Sequence, residues 1–365
     1  MNVVKATRQF EDWLSHHTEI VKPDLRLKHQ NMKADVFPFL RATYYRWAQV
    51  WPKVCPELAK GPRVLAVGDL HVENFGTWRD IEGRLIWGVN DFDEAHPMSY
   101  ANDLVRLAVS AHLASSAGHL PIKEKDICDS ILEGYREGMR EKGRPFVLGE
   151  NNKWLRQIAE NELRDPVRFW VKMDGLPTWK GEIPVCAVEA IEHLMPARDI
   201  SSYRMVHRIA GLGSLGHQRF VAIAEWHGGR IAREAKALVS SACYWASDHA
   251  GPTEILYQAI ITHAVRCPDP FVQLRGRWIV RRLGPHCSRI EIVTMGDSAP
   301  ALRLLHAMGW ETANIHLGSP ARKVILGNLD RQKAKWLHQA SADMLKAVRS
   351  DWETWKKDGY ISKQK

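Results

Sequence analysis

Gly68-Asp69-Leu70-His71-Val72-Glu73-Asn74-Phe75-Gly76 is the stretch on which the reading of this chain turns. The apolar run Arg63 to Val67 before it predicts a short strand leading straight into Gly68-Asp69. An Asp at a strand end, followed five residues later by an Asn, sets a carboxylate and a side-chain amide on one tight loop. Such a carboxylate can accept the proton of an attacking hydroxyl, and the amide oxygen can ligate Mg²⁺, both turned toward one phosphate. Asp69 is therefore the candidate base and Asn74 a candidate metal ligand. His71 and Glu73, inside the same loop, are candidates either for orienting Asp69 and touching substrate or for purely structural hydrogen bonds.

Working outward, Arg84 to Val89 (RLIWGV) predicts a second strand. It ends in Val89-Asn90-Asp91-Phe92-Asp93-Glu94-Ala95, which begins 15 residues after Asn74. A carboxylate at this place supplies the hard, charged oxygen that Mg²⁺ prefers. Asp91 is the second candidate metal ligand, with Asp93 in support. Residues 102–117 predict a buried helix with Leu104, Leu107, Ala108 and Ala111 on one face, and Asp103 at its start reads as a buried acid that braces the preceding loop. The Asp-to-Asn offset, followed by a strand and a second Asp, is the spacing of a kinase catalytic loop and its metal-binding partner.

A third signal lies far downstream. Gly211-Leu212-Gly213-Ser214-Leu215-Gly216 precedes the strand-like run Phe220 to Trp226 and the turn His227-Gly228-Gly229. A dinucleotide site requires a strand before the glycines and a helix after them. A hairpin follows here, which favours a glycine-rich flap over a triphosphate, with Gly211, Gly213, Ser214 and Gly216 presenting backbone N–H groups. A cation about one hairpin later would hold the phosphates. Ile231-Ala232-Arg233-Glu234-Ala235-Lys236 offers two: Arg233, 17 residues after Gly216, and Lys236, a compact point charge and the slightly preferred choice. Arg219 is a candidate to reach phosphate or to cap the hairpin, and Glu254 a candidate helix carboxylate to pair with the phosphate-binding cation.

The bulk properties fit a soluble globular chain. Its 365 residues are 45% hydrophobic and 25% charged, and no apolar run is long enough to span a bilayer. No apolar segment opens the chain and the six cysteines form no CxxC pair, so a cytoplasmic protein with reduced thiols and no membrane partner is expected. A net charge of +9 attracts polyanions, but the basic residues form no block and accompany no nucleic-acid motif, so a nucleotide is the expected partner.

Helices are predicted over about 5–50, 121–165, 252–265 and from 299 to the end. A sheet-rich portion is predicted over about 203–290, including strands FVQL and RWIVRRL around the Arg275-Gly276 turn. The fold class is thus α+β.

GDLHVENFG, NDFDE, Asn102-Asp103-Leu104-Val105-Arg106-Leu107-Ala108, the glycine motif and a Lys-Glu-Ala-like strand occur in the order of a bacterial family, domain of unknown function 2252, which the chain resembles over about residues 28–320. Arg233-Glu234-Ala235 stands where that family tends to have Lys-Glu-Ala, and Val67 where phosphotransferases of the aminoglycoside type have His. The resemblance implies a two-lobed, protein-kinase-like fold. Because the catalytic loop precedes the flap, it also implies a circular permutation. Gly309 to His316 resembles the alanine-and-histidine helix that precedes the catalytic loop in small-molecule kinases, displaced here to the tail. A helical portion 1–200 would carry the catalytic and metal-binding loops, 201–290 the flap, and 291–365 would return to the helical portion. The implied activity is an ATP- and Mg²⁺-dependent phosphotransferase acting on a hydroxyl acceptor of unspecified nature. A pseudokinase or nucleotide-binding scaffold is the alternative, ahead of a nucleic-acid binder or a metallophosphoesterase. Oligomeric state has no sequence signal.

Overall fold

The computed structural model describes residues 1–118, 120, 122–149, 151–159, 165–196, 203–248, 253–287 and 298–358. The chain opens with helices α1 (Val3–Ser15), α2 (Lys22–Ala34), α3 (Val36–Ala42), α4 (Tyr44–Val54) and α5 (Pro56–Ala59). The single helix expected over 5–50 is therefore broken. Asn2 caps α1 through Lys5 N–H at 2.9 Å, and Asp35, in extended conformation, stops α2 and caps α3 through Phe37 N–H at 2.8 Å.

Strands β1 (Arg63–Ala66), β2 (Phe75–Arg79), β3 (Leu85–Val89) and β4 (His96–Ser99) follow, then α6 (Tyr100–Ser116), α7 (Glu124–Glu141), β5 (Phe146–Val147), α8 (Lys153–Ala159), α9 (Pro166–Asp174) and α10 (Val185–Glu192). The second half contains β6 (Arg204–His207), β7 (Arg219–Trp226), β8 (Gly229–Ala237), α11 (Ala242–Ala246), α12 (Tyr257–His263), β9 (Gln273–Arg275), β10 (Trp278–Leu283), α13 (Ser298–His316), α14 (Arg322–Arg331) and α15 (Trp336–Lys357). The fold is α+β. Among the described residues, no helix is long and apolar enough to cross a membrane. All six cysteines are free.

α6 is the axis of the helical core and is buried on nearly every side, which explains its Leu, Val and Ala content. α7 and α13 pack at very close range because Gly134 faces the His306 carbonyl and Gly309 the Ile131 carbonyl, where a Cβ would collide with backbone. Trp47, Trp87 and Trp355 fill the same continuous core.

The strands of the described residues form three antiparallel sheets. β1 pairs with β4, and β2–β3 is a hairpin extended by β5. The largest sheet has order β6-β7-β8-β10-β9. One face carries Phe220, Ala222, Ala235, Ala237, Trp278 and Val280, covered by Ala187, Ala190 and Ile191 of α10. On the other face, Val206, Val221, Ile223 and Ala232 meet Met173 at the end of α9. α9 and α10, expected within the helical portion 1–200, thus pack on the sheet, because their apolar sides match its two faces. The expected boundaries at 200/201 and 290/291 lie outside the described residues. The helix expected over 252–265 is confined to α12.

Candidate functional site

β1 delivers the chain into the loop at Val67–Asn74, whose shape is set by Asp103 on α6. Asp103 accepts from Val67 N–H at 2.7 Å and Gly68 N–H at 3.0 Å, and Nε2 of His316 on α13 lies 3.0 Å from the same carboxylate. Tyr135 Oη meets the other nitrogen of His316 at 2.9 Å. Gly68 has φ of 80°, a left-handed conformation that suits glycine, and its missing Cβ leaves room for Tyr44 and the Glu94 carbonyl.

Asp69 projects from this loop onto Arg106. The guanidinium donates to Oδ1 from Nε at 2.9 Å and from Nη2 at 2.5 Å, gives a further bond to the Leu40 carbonyl, and lies over the rings of Tyr44 and Trp47. Burial pushes the Asp69 carboxyl above its ordinary value, with Arg106 opposing the shift. The other oxygen, Oδ2, faces the glycine loop: a Cβ at Gly213 would lie 3.5 Å from it.

The β2–β3 hairpin brings the two candidate metal ligands together. Phe75 pairs with Val89, so the residue before β2 and the residues after β3 lie side by side. Asn74 Oδ1 accepts from Asp91 N–H at 2.9 Å, while its Nδ2 donates to the carbonyls of Asp91 and Asp69 at 3.0 and 3.2 Å. One amide thus ties both loops, keeping a second lone pair on its oxygen. Glu73 is paired with Arg41 at 2.5 Å, and His71 is buried beside it in the loop.

Lys236, 1% exposed, reaches from β8 to the Asp91 carboxylate at 3.1 and 3.2 Å and also bonds Asp93. Asp91 is half-buried, which alone would raise its pKa, yet Lys236 and the neighbouring Asp93 hold it well below the usual carboxylate range. Burial, then the Asp91 charge, pushes Asp93 up to about 8. Asp93 Oδ1 is buried without a hydrogen-bond partner. Two crowded carboxylates sharing one ammonium, with one oxygen left over, suit a divalent cation. Among the described residues, no group of three or more His, Cys, Asp or Glu side chains is placed to hold a metal. Mg²⁺ does not require one, since it is commonly held by one or two carboxylates together with substrate phosphates.

Arg233 does not share this location. Strand residues alternate between faces, so residues three apart point oppositely. Arg233 lies on the far face, donating to the Leu194 carbonyl at 2.8 Å and covering Phe271. Of the two candidate cations, only Lys236 is on the loop side. Glu254 is also displaced from its expected role: it is exposed before α12 begins, and the partners of Lys236 are Asp91 and Asp93.

The glycine loop joins β6 to β7, with Gly211 and Gly216 at φ of 73° and 101°. A strand on each side makes it a hairpin loop, not a strand-to-helix turn. Ser214 Oγ donates to the Gly211 carbonyl at 3.3 Å and accepts from Arg219 Nη2 at 3.0 Å. α2 holds the loop from outside: Lys28 Nζ donates to the Gly213 carbonyl at 2.7 Å and Val21 N–H to the Gly216 carbonyl at 2.8 Å. Asp69, Asn74, Asp91, Asp93, Gly211, Gly213 and Ser214 all line one cleft of about 320 Å³. Lys28 and Arg281 at or beside it carried no sequence signal, and Glu94 and Arg106, though inside the quoted motifs, were given no role, because their partners are remote in the chain.

Glu94 accepts at Oε2 from Ala242 N–H at 2.7 Å and from Ser241 Oγ at 3.0 Å, and burial raises its pKa to about 7. Its folded value lies above its unfolded one. Its contribution to stability is therefore complete below the unfolded value and is lost as pH rises toward and through 7. Glu94→Gln is expected to flatten the fall in melting temperature between pH 5 and 8. An unchanged profile would show that Glu94 does not titrate in that window.

Residues 21–167 match a family described as an uncharacterized protein conserved in bacteria (DUF2252), a stretch that contains the Asp69–Asn74 loop, Asp91 and Asp103 and ends before the glycine loop. No curated protein and no solved structure matches the chain.

Proposed function

We propose that this chain is a kinase-like phosphotransferase that uses ATP with Mg²⁺ and passes the terminal phosphoryl group to a hydroxyl acceptor. The observation that carries the reading is the convergence of the Asp69–Asn74 loop, Asp91 and the glycine loop on one cleft, although the glycine loop lies more than a hundred residues beyond the other two in sequence. Protein kinases put a glycine-rich loop over the phosphates, a lysine on the third strand, and metal-binding Asn and Asp on two further loops. Here the glycine loop joins the first two strands of the β6-β7-β8-β10-β9 sheet and Lys236 lies on the third. The two-lobed arrangement and the circular permutation belong to the same proposal, with the helices flanking the sheet segment in sequence.

In this reading Asn74, Asp91 and Asp93 would hold the metal, which would supply charge neutralisation to the phosphates. The acceptor O–H proton passes to Asp69 as the acceptor oxygen bonds to the γ-phosphorus, and the bond from that phosphorus to the bridging oxygen breaks to release ADP. Arg106 holds Asp69 by one oxygen and leaves Oδ2 for the proton. Lys236, paired with the carboxylates, stands next to the phosphate position.

The test is the melting temperature with and without ATP and Mg²⁺, for the wild type and Asp91→Ala. Ligand binding to the folded state adds about 2.7 kcal/mol to the unfolding free energy at a hundred times Kd and so raises the melting temperature. A metal-dependent rise lost in the variant is expected. No rise in the wild type would sink the ATP reading.

A further inference from the structure

Glu234 lies at the centre of the sheet with 0% exposure, and three guanidiniums converge on its carboxylate. Arg219 Nη1 from β7 donates to Oε1 at 2.6 Å, and Arg281 Nε from β10 donates to the same oxygen at 2.8 Å. Arg208 Nη1, just after β6, donates to Oε2 at 2.6 Å. The register explains the meeting: Arg281 is directly opposite Glu234 on one side of β8, and Arg219 is opposite Lys236 on the other.

The charges do not balance. One carboxylate offsets one guanidinium, so three leave a surplus of two positive charges around Glu234, offset only in part by the Asp91 carboxylate acting on Arg281. Like charges packed together in a poorly hydrated place repel, and burying a charge is costly unless it is paired. If the sole task were to neutralise Glu234, a single arginine would suffice. Arg208 responds to the crowding: burial and the nearby Arg219 and Arg281 lower its hold on its proton, against the pull of Glu234.

The surplus is directed. Arg208 and Arg281 line the same cleft as Gly211–Ser214, and Arg219 binds the loop itself through Ser214. Arg281 is anchored by Nε alone, and among the described residues its two terminal nitrogens make no hydrogen bond. A guanidinium fixed at Nε, with its planar fork open to a cleft, is preorganised to donate two parallel hydrogen bonds to an oxyanion such as phosphate.

We propose that Arg208 and Arg281, oriented by Glu234, are a polyphosphate clamp in the cleft that the glycine loop lines, with Arg219 as the positioning residue that links clamp to loop. The class of ligand is a chain of two or three phosphates. For its identity as part of a nucleotide this rests on the phosphotransfer reading, but the clamp itself does not require adenine.

The experiment is calorimetric titration of the full chain with inorganic tripolyphosphate and, separately, with Mg-ATP. The proteins are the wild type, Arg281→Gln, Arg208→Gln, Arg281→Lys and, as control, Arg230→Gln at the exposed hairpin end. Arg281→Lys keeps a charge beside Glu234 but lacks the planar fork that holds Glu234 by one nitrogen and a phosphate by the other two, so it tests binding if Arg281→Gln fails to fold. Each Arg281 variant is expected to bind tripolyphosphate about ten- to a hundredfold more weakly, as does Arg208→Gln, with Arg230→Gln unchanged. Wild-type affinity in folded Arg281→Lys and Arg208→Gln, or no tripolyphosphate binding by the wild type, overturns the clamp. Arginine-dependent tripolyphosphate binding without Mg-ATP binding would uphold the clamp and overturn the nucleotide reading.

Discussion

Asp103→Asn is expected to lower the free energy of unfolding by about 3–5 kcal/mol, the range for breaking a buried charged network. Asp103 is fully buried, and its two oxygens accept from Val67 N–H, Gly68 N–H and the Asn102 amide while facing His316. The substitution preserves volume but turns one acceptor into an NH₂ donor pointed at other donors. At least one backbone N–H then loses its partner in a place water does not reach, which costs about 1–3 kcal/mol by itself. The residue also fixes the approach to Asp69, so proteolysis within 63–74 should quicken along with the drop in urea midpoint. A loss below about 1 kcal/mol would mean that other contacts hold the loop and that Asp103 is dispensable.

Asp69→Asn is expected to slow phosphoryl transfer about 10²–10⁴-fold, the usual contribution of a positioned base. The acceptor being undefined, release of phosphate from ATP to water is the practical readout. ATP affinity should persist, because Asp91 and the glycine loop remain. Arg106 is fully buried and would lose its carboxylate, so the variant should also unfold more readily. Rates and affinities are therefore compared at a temperature where both proteins are folded. An unchanged rate of release would remove Asp69 from the role of base and favour a nucleotide-binding scaffold.

The parts of the site readable from sequence are the local ones. Asp69 and Asn74 share one loop, and Asp91 is joined to them by a single hairpin, so spacing alone conveyed their proximity. Even there β2 escaped, since Phe-Gly-Thr-Trp-Arg lacks both an apolar run and a clean alternation. The strand of Arg233 and Lys236 held more information than spacing gives: once it is a strand, parity alone excludes one of the two from the cleft. What the sequence could not convey are partners made by tertiary folding. Arg106 meets Asp69 across 37 residues, Arg281 meets Glu234 across 47, and Lys28 meets Gly213 across 185. A buried Arg or Lys has no signature of its own, and the expectation for such residues is a solvated surface.

The union of Asp103 with His316 sets a timetable for the protein's birth. The two are 213 residues apart. At 5–20 residues per second, a ribosome needs about 10–40 s to travel that distance. For that interval the Asp69 loop exists without the histidine that completes its support, and the glycine loop is made within the same interval. A nascent chain therefore completes the support of its Asp69 loop only after His316 has been made, long after the loop itself.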